Sequence, residues 1–281
     1  MKLMVACAIL LLVGLLLGGV WSRLDFRSPD PPGSGEALTP TLVAARVAWF
    51  ASLALTGGVV AGITVIGGGG RLAMRLLAVT AGDPAQGRTT EAGETVGEIT
   101  VDGTVGFVLF NGIFGGVAAA SLYLLVRRFL PRARFGGATF GVGLLILAGT
   151  TIDPLRADNP DFDIVGPGWL SLVVFGALAV AFGIVLAGVL ARLSQWLPLL
   201  AVDRRVLLRY LAPALLAVLA FSITALVVVI TVAAIVLTRW QPLVDAVRSR
   251  RWITAGRVVG IVAVLIALPS AVSTFIDIGS R

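Results

Sequence analysis

The chain of 281 residues is 58% apolar and 13% charged, with a mean hydropathy of +1.00, far from the composition of a soluble globular domain. It holds no histidine and one cysteine, Cys7, which excludes histidine-assisted proteolysis, His/Cys zinc sites, His-ligated haem, iron–sulfur clusters and an internal disulfide. The net charge of +7 comes from 21 arginines and one lysine against 15 acids, but the arginines cluster between apolar runs, which points to membrane topology and anionic headgroups and away from nucleic acid.

A membrane-crossing helix needs about 20 apolar residues, and seven runs qualify: 3–21, 42–66, 105–126, 135–152, 169–190, 211–237 and 253–276. The fold expected is an all-α integral membrane protein, about seven transmembrane helices in a compact glycine-rich bundle, with a small β-hairpin-like extramembrane loop at 80–104. It divides into a first span or signal-like segment (1–22), a Pro/Gly-rich linker (23–41) and a six-span membrane domain (42–281). Cys7 reads as a small hydrophobe in the first span. The stretch 28–40, with Pro29, Pro31, Pro32, Gly33, Gly35 and Pro40, is a linker by composition.

After the second span comes Gly67-Gly68-Gly69-Gly70-Arg71-Leu72-Ala73-Met74-Arg75. Four glycines are expected to end or unwind a helix, and Arg71 and Arg75, four apart, share one face of the helix that follows. They are candidates for a lipid- or anion-binding clamp, because guanidinium groups bind phosphate bidentately; the bland alternative is interfacial snorkelling or pairing with Glu91 or Glu94. The run is not a Walker loop or a dinucleotide fingerprint.

Residues 80–104 are the least membrane-like, and Thr95 to Val101 alternates as an exposed strand does. They read as an acidic hairpin cap. The loop 153–163 adds four aspartates and one arginine, Arg156. Glu91, Glu94, Asp158, Asp161 and Asp163 are candidates for a protein partner or a cation, although the spacing is not that of a calcium loop, and the plain reading is a solvated surface. No metal, cofactor or catalytic residue is assigned.

The string 159–169, with 70–80 followed by the acidic Gly/Thr segment, resembles uncharacterised multi-span membrane proteins of high-GC Gram-positive bacteria. That resemblance implies a bacterial plasma membrane and no particular activity.

Small residues recur four apart at Gly57/Ala61, Gly58/Gly62, Gly112/Gly116, Gly137/Gly141, Ala179/Gly183 and Gly256/Gly260, which lets helix backbones approach closely. A weak internal repeat relates Gly62, Gly67 and Arg71 to Gly183, Gly188 and Arg192. Polar groups within the spans are Arg46, Asn111 and Asp277. The turn holding Arg127, Arg128, Arg132 and Arg134 is expected on the cytoplasmic side, which with seven spans puts the N-terminus outside and the C-terminus inside. Arg239, Arg248, Arg250, Arg251 and Arg257 then face outward against the rule, unless a span is miscounted or 240–252 lies flat in the interface.

The function expected is that of a non-enzymatic membrane component acting on the bilayer, an anionic lipid, or a protein partner at its acidic outer face. The alternative is a transporter or channel for a small solute or lipid. A membrane enzyme would need Glu91, Glu94 or Asp153 beside a lipid phosphate, and the missing histidine argues against it. A polar cavity reaching mid-membrane between the second, third and fifth spans separates these readings.

Overall fold

The computed structural model describes residues 2–29, 39–200, 203–219, 225, 228–229, 232–233 and 250–281. The chain forms α1 (Lys2–Trp21), α2 (Pro40–Thr80), α3 (Val101–Val126), α4 (Ala133–Leu144, continued by Leu145–Gly149), α5 (Gly168–Trp196), α6 (Arg204–Leu219) and α7 (Arg250–Gly279). Among the described residues five helices, α1, α2, α3, α5 and α7, are long and apolar enough to cross a membrane, and α4 is a shorter apolar helix. Nearly half of the expected 211–237 span, the 30–38 part of the linker and the flat segment expected at 240–252, up to 249, lie outside the described residues.

The glycine run corrects the expectation of a broken helix. α2 passes through it uninterrupted for 41 residues, about 60 Å at 1.5 Å per residue, twice the hydrocarbon thickness of about 30 Å. The reason is packing. Gly62–Gly69 is wound as a π-helix whose glycines are buried against neighbours: a side chain on Gly68 would meet the backbone of Cys7 and Leu11, and one on Gly69 the side chain of Leu178. Glycine here admits α1 and α5; it does not break the helix. Two further π-helical stretches occur, Val108–Gly115 in α3 and Leu145–Gly149 in α4.

Small residues zip the helices in two pairs. Gly58 and Gly62 of α2 lie against Gly112 and Gly116 of α3, so closely that a methyl on Gly62 would overlap the Gly112 carbonyl. Gly137 and Gly141 of α4 lie likewise against Ala179 and Gly183 of α5. α2 also packs on α5, and α1 fits over both, with Gly14 against Thr64 and Gly18 against Val185. α3 and α4, although consecutive, are not packed along each other. The repeat finds no echo in this packing, because Gly62 crosses the helix after it and Gly183 the helix before it.

Trp49, fully buried, anchors one end of the bundle: its indole N–H donates to the Leu197 carbonyl at 2.7 Å and its ring meets Phe26 and Phe50 edge-on. Arg127 stacks on the Phe26 ring at 3.6 Å. Arg257 of α7 donates to the Phe129 carbonyl at the same end, and Arg209 to that of Trp196. Arg23, Arg27, Arg132, Arg134, Arg204, Arg205 and Arg251 join them, with Asp25 and Asp203 the acids among the described residues there.

The opposite, acidic end holds residues 81–100 and 150–167. There Arg281 pairs with Asp163 at 3.1 Å and Asp277 at 2.7 Å. Lys2 and Arg281 therefore lie at the same end of the bundle, whereas a count of seven spans puts the termini on opposite sides. α7 enters from the arginine end, so Arg257 joins the Arg127–Arg134 turn instead of facing it across the membrane.

The expected hairpin is reduced to one antiparallel bridge, Thr89 with Thr95, closed by Gly87 N–H to Val96 O, Val96 N–H to Arg88 O and Thr90 N–H to Glu94 O. The strand read at 95–101 does not form, because Thr100 caps α3, its hydroxyl accepting from Gly103 N–H, and Val101 is already helical.

Candidate functional site

The segment 81–100 is held as a cap over the acidic end. Ala78, Ala85 and Val96 are buried together with Ile164 and Val165 of the facing loop. Gln86 donates to the Ala78 carbonyl at 2.7 Å and the Thr80 hydroxyl to that of Gly166 at 2.6 Å. Arg156 grips both oxygens of Glu91 at 2.6 Å and also pairs with Asp158, while Asp161 accepts from the Glu91 N–H at 2.8 Å. These charges fasten loop to loop.

Beneath the cap lies a cavity of about 710 Å³. One wall is α2, bringing Arg71, Met74 and Arg75; the cap brings Glu91, Glu94 and Glu98, the start of α3 Asp102, and the 150–167 loop Asp153, Asn159 and Asp161. A second cavity of about 300 Å³ continues downward between α3 and α4, with Val65 and Ile66 of α2 and Leu178, Ala179 and Phe182 of α5 behind it. Met74, Phe107, Asn111, Asp153, Pro154 and Phe175 border both, so they form the neck between a charged chamber and an apolar one. Both volumes are in the range of small-molecule sites.

All three π-helical stretches contribute to the lower chamber: Val65 and Ile66, Asn111 and Gly115, and Leu145, Ala148 and Gly149. Its existence follows from the glycine zippers. The α2–α3 pair and the α4–α5 pair each close tightly, and the space between pairs is left for the chamber.

Arg75 donates to the Gly97 carbonyl at 3.0 Å, and Arg71 reaches the Met74 sulfur at 3.9 Å. Among the described residues neither forms an ion pair, and nor do Glu94, Glu98, Asp102 or Asp153. Asp153 is open to the cavity but ringed by protein; burial pushes its carboxyl above the usual range, Arg156 pulls it down, and Glu91 and Asp161 push it further up. Asn111 stands within α3 with no hydrogen-bond partner among the described residues. Asn159 is 8% exposed; its Oδ1 accepts from Asp161 N–H, and its Nδ2 has no partner among the described residues.

Of the residues singled out by sequence, Arg71, Arg75, Glu91, Glu94 and Asp161 thus come to one cavity. Asp158 and Asp163 do not; they are held by Arg156 and Arg281. Among the described residues no three acids or cysteines gather as metal ligands. The cavity reaches Arg71 and Asn111 between α2, α3 and α5, and it is apolar where it goes deepest. Phe107, Phe175, Asn159 and the α3–α4 gap were not marked as functional by the sequence, and the signal for the gap was that two small-residue pairs fell on each side of it.

Comparison with protein-family models, curated proteins and solved structures finds no match to the chain.

Proposed function

We propose that this is a non-enzymatic multi-span protein of a bacterial plasma membrane that binds a membrane lipid, with the polar head under the cap and an acyl chain between α3 and α4. The observation that carries the reading is the neck: a charged chamber at the acidic end opens directly into an apolar one between two helices that are not packed together. An amphiphile is the ligand class that matches both halves, since charged groups and apolar surface each seek their own kind of environment. The deep part is lined by Gly141 and Phe182, near the middle of their helices, and by Ala119, which supports a binding site more than a passage for a polar solute.

The test fills the lower chamber. A side chain on Gly115 meets no atom within 4 Å, and Gly115 lines the chamber; Gly143 is equally open but does not line it. Gly115→Phe is expected to lose co-purifying lipid, counted by native mass spectrometry, and Gly143→Phe to keep it. Equal lipid content in both variants and the wild type would remove the proposal.

A further inference from the structure

Resting on the lipid site just proposed, the charges around the upper chamber specify the head. Among the described residues Arg71 and Arg75 stand on one wall without ion pairs, and Glu94, Glu98, Asp102 and Asp153 stand around them in the same condition. An anionic head would satisfy the arginines but add negative charge to a chamber with more carboxylates than guanidinium groups. A head with no anion would leave the arginines unmatched. A head carrying one anion and one cation matches both sets.

Amide donors set its depth. Asn159, more than nine-tenths buried, lines the chamber with its Nδ2 unpartnered among the described residues. About two-fifths of the way down α3, Asn111 faces both chambers with no partner among the described residues, and an unpaired amide inside a membrane span is costly. In a glycerophospholipid the ester carbonyls lie just below the phosphate, where Asn111 sits relative to Arg71. Carboxylates accept hydrogen bonds, so the cation they fit best is one that donates them, a primary ammonium rather than a quaternary one.

We infer that the site selects a glycerophospholipid with a primary-amine zwitterionic head, phosphate on Arg71 and Asn159, ammonium on Asp153 and Glu94, ester carbonyl on Asn111.

The full-length protein, stripped of lipid in detergent, is offered equimolar phosphatidylethanolamine, phosphatidylglycerol and phosphatidylcholine, and bound lipid is read by native mass spectrometry. The expected result is a preference for phosphatidylethanolamine of about tenfold, the scale of one charge-assisted hydrogen bond. Asp153→Asn and Glu94→Gln, made separately so that one folded variant suffices, are expected to bring the ethanolamine-to-glycerol ratio towards one with total lipid retained. Phosphatidylglycerol or phosphatidylcholine bound as well as phosphatidylethanolamine by the wild type would overturn the head assignment and leave the lipid site standing. No lipid bound above the level of Gly115→Phe would overturn the site itself. Glycerophosphoethanolamine, the same head without chains, is expected to bind at least about tenfold more weakly because the lower chamber stays empty; equal binding would make the ligand a soluble phosphoamine and overturn the lipid assignment.

Discussion

Two residues show how single groups govern the ends of the bundle. The Trp49 indole is fully buried and supplies the donor to the Leu197 carbonyl, just past the end of α5. Trp49→Phe keeps an aromatic ring and removes that donor, so the carbonyl is left unpaired at a cost of about 1–3 kcal/mol. A lower unfolding midpoint in detergent is expected, and an unchanged one would mean that the carbonyl has found another donor. At the acidic end, Asp153 holds its proton more tightly in the folded chain than in the unfolded one, because burial, Glu91 and Asp161 outweigh Arg156. A group of this sign contributes stability below the ordinary aspartate range, near pH 3.9, that is lost as pH rises through its folded value. Asp153→Asn is therefore expected to flatten the fall of the melting temperature across that window and to raise it at neutral pH. Parallel curves for variant and wild type would contradict this sign.

At the scale of the element, glycine spacing decides which helices touch. Gly58/Gly62 with Gly112/Gly116, and Gly137/Gly141 with Ala179/Gly183, are backbone-to-backbone crossings in which a single methyl meets a carbonyl of the partner helix. Gly62→Ala is expected to separate α2 from α3 and to abolish a monodisperse folded peak in detergent chromatography. Gly106→Ala, on the same α3 but with no atom within 4 Å, is expected to leave that peak intact. Similar behaviour of the two would mean that the crossing is not what holds the pair. These pairs were legible in the sequence because close approach requires a small residue every fourth position. Which pair faced which was not legible, since spacing states that a helix can be approached and never by what. The glycine run 67–70 misled for a related reason: the same residue ends a helix at a surface and admits a neighbour inside a bundle, and only the presence of α1 and α5 distinguishes the two. Thr95 to Val101 misled through local competition, in which the Thr100 cap draws Val101 into a helix before a second strand can pair.

For the whole molecule the controlling quantity is the distribution of charge between the two ends. Read along the chain with seven crossings, the arginines divide almost evenly between sides; gathered by the fold, they concentrate at the end of Trp49, Phe129 and Trp196, opposite the acidic cap. Placing such a cluster on the translocated side would oppose the bias that orients membrane proteins, so we predict the arginine end in the cytoplasm and the cap outside. On that prediction the chamber under the cap faces outward, with Lys2 and Arg281 on its side. Single cysteines on a Cys7→Ser background test this directly: Thr90→Cys in the cap and Ser280→Cys beside Arg281 are expected to react with an impermeant thiol reagent added outside intact cells. Arg132→Cys, in the turn before α4, is expected to react only after the membrane is opened. If Ser280→Cys labelled with Arg132→Cys, α7 would run the other way and the Arg281–Asp163 and Arg257–Phe129 contacts would both have to be absent in the membrane. If all three orientations were inverted together, the bundle would stand and the charge bias would not be what sets its direction.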